Sequence, residues 1–409
     1  MDTHCKLAST SITRTFKSVC AAALLALMPA TATYANDNIS VNDCNQTETT
    51  ENVEFSLSKT TYSPAVVAAA DATGAPYNSL NVEIGLSKLR IFGYAQSTYY
   101  YNRNNGVNKN ALDVQRIILM ADAHITSKLS FFLMYDAVKS ELHEYYAQYE
   151  FAPYAKLRVG QYKQPFTLES TLSPTYMSTI QFDPSILYLA GIAIDPLVGP
   201  HVARDAGVML TGDFLNNGER DLFNYSIGVF NGPGMNMKEN NNQKDVAGML
   251  QYKPTKNLLL EGSFLAGTGN AQVASPYGLF PQGYNYARHR WNLGVEAKFL
   301  PLYLRAEYIQ GYDGGVHSRG GYINMLWHIY KKCDLILNWD NLDKNTHTSL
   351  AEQEAIYNNS GFVTRLNTYT AGMQWWFHNR CRLSGQFIYT MPRTGEITRE
   401  FITQLQLVF

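Results

Sequence analysis

Apolar and polar residues alternate along most of the chain from about residue 88 onward. In 287–299, one set of alternate positions carries Trp291, Leu293 and Phe299, and the other carries charged or polar side chains. A helix would scatter these charges around its circumference, whereas a strand places successive side chains on opposite faces. The pattern therefore predicts a β-strand with one apolar and one polar face. The same alternation occurs at 142–151, 222–231, 333–340 and 381–390.

Sixteen strands are predicted, and their connections alternate in length. The strands lie at 88–100, 111–125, 128–137, 142–151, 156–161, 204–214, 222–231, 245–253, 258–267, 287–299, 302–311, 320–330, 333–340, 363–378, 381–390 and 397–409. Every second connection is short, such as Thr126-Ser127 and Lys331-Lys332. The others are longer and polar, such as Asn102–Asn110, Gly232–Lys244, Thr268–Tyr286 and Asn341–Gly361. Short turns on one side and long loops on the other are typical of outer-membrane barrels. The fold class predicted is therefore all-β: a 16-stranded antiparallel transmembrane β-barrel over residues 88–409.

The last predicted strand alternates to the end of the chain, in the sequence FITQLQLVF. Its terminal phenylalanine resembles the assembly signal of bacterial outer-membrane proteins. An open sheet leaves two edges with unpaired backbone groups, which lipid cannot satisfy. We therefore expect the last strand to pair with the first, Lys88–Tyr100.

The N-terminus has the features of a signal peptide over residues 1–35. Lys6, Arg14 and Lys17 precede the apolar run Val19–Met28, and small residues lead to a cleavage position after Ala35. The apolar run is too short to cross a bilayer, which takes about 20 residues. An uncleaved anchor is the alternative. Residues 36–87 are polar and then rich in Ala and Thr, and we interpret them as a leader or a periplasmic extension.

Composition narrows the function without defining it. Charged residues make up 16% of the chain and the formal net charge is −1, so the sequence lacks the excess of positive charge that is typical of nucleic-acid binding. No Cys or His spacing indicates a metal site, and nothing indicates another cofactor. The histidines are scattered and accompany no nucleophile motif, so we predict no catalytic residue and no enzyme. The open alternative is a non-conducting adhesin or structural barrel.

The longest connection lies between the fifth and sixth predicted strands, at about 162–203. It is unusually apolar for a loop, with residues such as Phe166, Ile186, Leu189 and Leu197. Loops of this length are usually functional. We expect it to fold back inside the barrel and narrow the pore. The alternative is an external cap or a subunit contact.

The stretch Arg158–Glu169, RVGQYKQPFTLE, resembles the segment that opens the constriction loop in the phosphate-selective porin O and P family. Arg204–Gly212 and the terminal strand are similar to the strands that the family has at the corresponding places. The resemblance implies a homotrimeric outer-membrane porin. Its expected partners are outer-membrane lipid and small ions and hydrophilic solutes, which would diffuse passively through the barrel.

The resemblance also implies selection of phosphate or other anions by basic residues in the pore, a sound physical filter. The candidates are Arg90, Arg116, Arg158, Lys163, Arg204, Arg288, Arg290, Arg305 and Arg382. Acidic residues share the same predicted faces, among them Glu144, Glu296 and Glu307. A weakly selective pore in which these charges neutralise one another therefore stays open as an alternative.

Overall fold

The computed structural model describes residues 55–56, 80–84, 87–104, 107–199 and 201–409. The predicted signal peptide lies outside the described residues, as does most of 36–87. The strands are β1 (Phe55–Ser56), β2 (Leu80–Ile84), β3 (Ser87–Asn104), β4 (Val107–His124), β5 (Leu129–Asp136), β6 (Glu141–Ala152), β7 (Ala155–Lys163), β8 (Arg204–Asn216), β9 (Asp221–Phe230), β10 (Asp245–Thr255), β11 (Leu258–Asn270), β12 (Asn285–Phe299), β13 (Leu302–Asp313), β14 (Val316–Tyr330), β15 (Cys333–Asp343), β16 (Arg365–His378), β17 (Cys381–Pro392) and β18 (Thr398–Val408).

Strands β3 to β18 form a closed 16-stranded antiparallel barrel in which each strand pairs with its neighbours in sequence. The barrel closes where β18 pairs with β3, from Tyr94 opposite Val408 upward. At the end of this seam, the backbone N–H of Gly93 donates to the carbonyl of Phe409 at 2.8 Å, and that of Phe409 donates to the carbonyl of Gly93 at 3.0 Å. The predicted pairing of the last strand with the first is confirmed.

The strand boundaries agree with the prediction to within a few residues, but several connections differ. Asn102–Asn110 is not a long loop, because β3 and β4 extend through it and only two residues separate them. Gly314 and Gly315 alone join β13 to β14, and both have positive φ (51° and 104°), which glycine adopts at little cost. Short strand β2 pairs with Ser87–Ile91, although 36–87 showed no strand pattern.

Burial along the barrel strands is opposite to that of a water-soluble protein. In β12, Trp291 is 41% exposed and Leu293 is 59% exposed, whereas Arg290 and Asn292 are buried. Water-soluble proteins bury apolar side chains and leave charged ones outside. An apolar outer face and a polar inner face are what a barrel in hydrocarbon requires. Among the described residues, no helix is long and apolar enough to span a bilayer.

Segment 164–203 connects β7 to β8 and carries helix α1 (Leu168–Thr171), a 3₁₀ turn (Pro174–Tyr176) and helix α2 (Pro184–Leu189). Helix α2 packs against β13, β14 and β15. The largest hydrophobic cluster contains Tyr162, Phe166, Ile186, Leu189 and Leu342, and thus joins the segment to the buried side of the sheet. The apolar residues that made this connection unusual are therefore accounted for by packing.

Helix α3 (Leu350–Ser360) interrupts the connection between β15 and β16, which the sequence indicated only as a polar loop. Ser349 and Glu352 form a capping box at its start, and Gly361 ends it with φ of 71°. Its side chains are mostly exposed. The missing apolar stripe explains why periodicity did not indicate this helix.

Candidate functional site in the barrel interior

Helix α1 is held by one carboxylate on β13. The backbone N–H groups of Leu168 and Glu169 donate to the two oxygens of Glu307, at 2.6 and 2.8 Å. The hydroxyl of Tyr322 and the side-chain amide of Asn292 also donate to Glu307, at 2.7 and 2.8 Å. An anion at the first turn of a helix accepts from N–H groups that have no partner within the helix. Glu307 is therefore the main anchor of the segment.

Polar side chains farther around the sheet bind the rest of the segment. The backbone N–H of Ile180 donates to Gln386 at 3.0 Å, and the amide of Gln386 donates to the carbonyl of Ser178 at 2.8 Å. The backbone N–H of Ser185 donates to Asp340 at 3.1 Å. Further bonds join Ser178 to Asn324, Asp183 to Asn338 and Thr175 to Gln406. Bonds to β14, β15, β17 and β18 thus leave little of the segment unattached.

Two carboxyl groups within the segment, those of Glu169 and Asp183, lie close enough for their charges to repel each other. The backbone N–H of Asp183 donates to Glu169 at 3.1 Å. Burial raises the pKa of Glu169 to about 7, against the opposing effect of Arg305. Burial, Glu169 and Asp340 together raise the pKa of Asp183 well above its usual range. The packed arrangement of the segment is therefore most stable when Glu169 or Asp183 carries a proton.

We expect segment 164–203 to become less tightly packed as pH rises. Burial in the packed segment raises the pKa of Glu169 from its ordinary value of about 4.5 to about 7. The proton on Glu169 therefore stabilises the packed arrangement fully below about pH 4.5, and this stabilisation is lost as pH rises through about 7. Hydrogen exchange at 168–187, corrected for its intrinsic pH dependence, should be several-fold faster at pH 8 than at pH 5. Glu169→Gln should flatten this difference, while Glu354→Gln in exposed α3 should preserve it. An unchanged pH dependence in Glu169→Gln would contradict the assignment.

The nine predicted basic residues divide into three groups. Four form ion pairs, at 2.9 Å for Arg90 with Asp122, 2.8 Å for Arg204 with Glu144, 2.7 Å for Arg290 with Asp313 and 3.3 Å for Arg305 with Glu296. Three bond neutral acceptors: Arg158 to Gln148, Arg382 to Gln374, and Lys163 to the carbonyl of Leu172. Arg116 and Arg288 form no ion pair or side-chain hydrogen bond with the described residues. The structure does not bring the nine together at one place.

Arg288 is 3% exposed and borders a small cavity on the buried side of the sheet. The other polar residues that line it are His201, Asn240, Asn241, Asn270 and Gln272. Burial and Arg288 lower the pKa of His201 to about 3, so this ring is neutral at neutral pH. A Cβ at Gly191, where φ is 68°, would lie 2.6 Å from the guanidinium group. The cavity therefore combines one cation with neutral hydrogen-bonding groups.

Sequence reasoning missed the residues that hold the segment. Glu307 entered the analysis only as a charge that offsets basic residues, and Asn324, Asn338 and Gln386 were not singled out. Their positions on the polar faces of alternating strands were readable from the sequence. Their partners were not, because each lies more than 130 residues away along the chain.

Comparisons with known proteins agree with this architecture. Residues 88–256 match the family model for phosphate-selective porin O and P, which confirms the resemblance seen at Arg158–Glu169. Outer-membrane OmpT of Vibrio cholerae covers 80% of this chain and is itself covered fully, at 10% identity and a TM-score of 0.58. OprB of Pseudomonas putida covers 78% with 94% of its own chain, at 10% identity and a TM-score of 0.59. The outer-membrane channel DcaP of Acinetobacter baumannii aligns with 80% of this chain over 99% of its own length, at 9% sequence identity and a TM-score of 0.54. Among curated proteins, a sequence comparison gives no match. The chain thus has the closed-barrel fold of outer-membrane porins.

Proposed function

From the match to the phosphate-selective porin O and P family and from the porin fold, we propose that this chain is a porin for passive diffusion of small hydrophilic solutes. Segment 164–203 lies inside the barrel and forms the constriction. The observation that carries this proposal is the set of bonds from the segment to inward polar side chains of four strands and to Glu307. A loop on the outside would meet the apolar face instead.

We infer a preference for small anions, phosphate among them. The ion-paired arginines contribute little net charge to a permeating ion, because each guanidinium lies beside a carboxylate. Arg116 and Arg288 are the candidates that form no ion pair with the described residues, although the buried carboxyls of Asp195 and Asp245 lie within electrostatic range of Arg288. A buried cation such as Arg288 attracts anions strongly. The inference thus depends on two residues rather than nine.

We propose a homotrimer as the assembly. One structural neighbour, in vitro folded OmpT of Vibrio cholerae, is described as a trimer form, at 9% identity and a TM-score of 0.57. Light scattering of the protein in detergent, corrected for bound detergent, tests this. A monomeric mass would contradict it.

Conductance in planar bilayers tests the main proposal. The purified protein should produce discrete current steps, and the reversal potential across a potassium phosphate gradient should have the sign of anion preference. A reversal potential near zero would indicate the weakly selective pore. Complete absence of steps from a barrel shown to be folded would favour the non-conducting adhesin or structural barrel.

Replacing Arg288 with glutamine is expected to lower the anion-to-cation permeability ratio roughly two-fold or more, because it removes one unpaired cation from the interior. Lys256→Gln is the matched control, since it removes one positive charge at an exposed short turn. The measurement is the reversal potential of each variant. Equal ratios for Arg288→Gln and the parent protein would exclude Arg288 from selectivity.

A further inference from the structure

The outer face of β14 to β17 carries a row of large side chains directly opposite one another. In register, Ile323 lies opposite Trp339, Trp339 opposite Tyr369, and Tyr369 opposite Tyr389. Trp339 and Tyr369 are 41% and 44% exposed. Three aromatic rings on neighbouring strands are typical of the level where a barrel leaves the hydrocarbon.

This row lines one side of an open hollow of about 580 Å³ whose lining is mostly apolar. Ala371 forms its floor, opposite Leu337 on one side and Phe387 on the other. Both larger neighbours are about half exposed. One methyl group between two large side chains leaves space of the width of a hydrocarbon chain.

Arginines lie at and beyond the aromatic row: Arg399 is level with Tyr389, and Arg319, Arg365 and Arg393 lie four residues farther along their strands than the row. Arg319 is opposite Asp343, Asp343 is opposite Arg365, and the backbone of Arg393 bonds that of Arg365. Arg399 lies opposite Tyr389, with its guanidinium carbon 5.6 Å from the ring centroid. Asp343 is buried and lies 4.0 Å from Arg365.

The charge balance around these arginines is positive. Arg319, Arg393 and Arg399 are exposed and form no ion pair with the described residues. Two acidic residues are close to these arginines in sequence. Glu396 lies three residues from both Arg393 and Arg399, and Glu400, which follows Arg399, accepts a hydrogen bond from Asn102 at 2.6 Å. These arginines thus present several guanidinium groups that have no carboxylate partner.

These arginines are at the end of the barrel that carries the long connections, such as 344–364. In outer-membrane barrels that end faces outward, so they are at the level of the outer-leaflet headgroups. Tyr389 lines the hollow two residues, or about 7 Å, along the strand from Phe387, so Arg399 opposite Tyr389 lies at the edge of the hollow. We propose that this face binds a phosphorylated, acylated glycolipid of the outer leaflet. One acyl chain fills the hollow, and a phosphate is bound by Arg393 and Arg399.

Guanidinium groups suit this ligand because their planar donors match phosphate oxygens in pairs. A second copy of the chain is a poorer occupant, because a subunit contact would desolvate cations that have no partner. The inference depends on the membrane placement and not on solute transport.

Native mass spectrometry of the protein in nonionic detergent, titrated with bisphosphorylated lipid A, tests the proposal. The double variant Arg393→Gln, Arg399→Gln should bind at least about fivefold more weakly. Ala371→Trp, which fills the hollow but keeps the charges, should also weaken binding. Lys331→Gln, Lys332→Gln at a short turn is the matched control and should bind like the parent. Dephosphorylated lipid A should bind the parent protein more weakly.

Equal binding by the double variant, or by dephosphorylated lipid, would overturn the proposal. Dissociation of oligomers in Ala371→Trp with lipid binding unchanged would assign the hollow to a subunit contact, which also overturns it. The double variant tests the charges even if Ala371→Trp folds poorly. Conductance measured on the same variants should match the parent, which separates this proposal from that of a porin.

Discussion

Replacing Glu307 with alanine is expected to raise single-channel conductance several-fold and make it unsteady. Glu307 accepts hydrogen bonds from the backbone of Leu168 and Glu169 and from the side chains of Tyr322 and Asn292. Removing it leaves two buried N–H groups of α1 without acceptors, each at a cost of about 1–3 kcal/mol. The first turn of α1 should then leave its position and widen the constriction. Current recordings in planar bilayers measure both the step size and its fluctuation.

Glu261→Gln is the matched control for this experiment. Glu261 is a buried carboxyl on β11, which is separated from β13 by β12. It accepts from Asn292 at 2.6 Å but from no backbone group among the described residues of segment 164–203. It should leave the conductance steps near those of the parent. If Glu307→Ala folds and conducts like the parent, the segment is not what limits the current.

Replacing Gly93 with valine is expected to destabilise the closed barrel by on the order of 3 kcal/mol or more, as in overpacked interiors. A Cβ at this position would lie 2.4 Å from the carbonyl oxygen of Ile118 and 2.8 Å from the ring of Phe409. Gly93 and Phe409 also exchange the two backbone hydrogen bonds at the end of the closing seam. Valine should push the terminal ring away and open this edge.

Ala95→Val is the control for Gly93→Val, because it adds apolar volume two residues farther along the same strand and face. Urea unfolding in micelles, together with the gel shift between heated and unheated samples, measures the folded fraction. Gly93→Val should lose most of the folded band at urea concentrations that Ala95→Val withstands. Equal stability of the two variants would show that Phe409 does not require glycine beneath it.

Sequence alternation predicted the barrel strands closely because one physical requirement repeats along each of them. In β12, Trp291 and Leu293 must face hydrocarbon, while Arg290 and Asn292 must not. The period of two is local and can be read from neighbouring residues. The alternation does not indicate a strand where the strand leaves hydrocarbon, as at Asn102–Asn110, because polar residues there continue β3 and β4 beyond the predicted ends.

The candidate site was predicted less well, since its charges depend on partners far away in sequence. Arg290 and Arg305 looked like pore-lining cations but are offset by Asp313 and Glu296. Arg288 had the same pattern but forms no direct ion pair with the described residues, and only the more distant carboxyls of Asp195 and Asp245 act on its charge. Alternation places all three on one face, but it does not state which carboxylates the neighbouring strands bring beside them.

The sequence by itself determined the fold class, the order of the strands and the face of each side chain, because the contrast between lipid and water acts on every residue separately. It also indicated that segment 164–203 is too apolar to lie in water. Only the tertiary structure decided how that segment is held, since Glu307 meets α1 across about 140 residues of chain. It likewise decided which cations have a carboxylate beside them, and where Ala371 leaves a hollow close to the arginines. Those features depend on strand register, which sets the distance between residues that no local pattern connects.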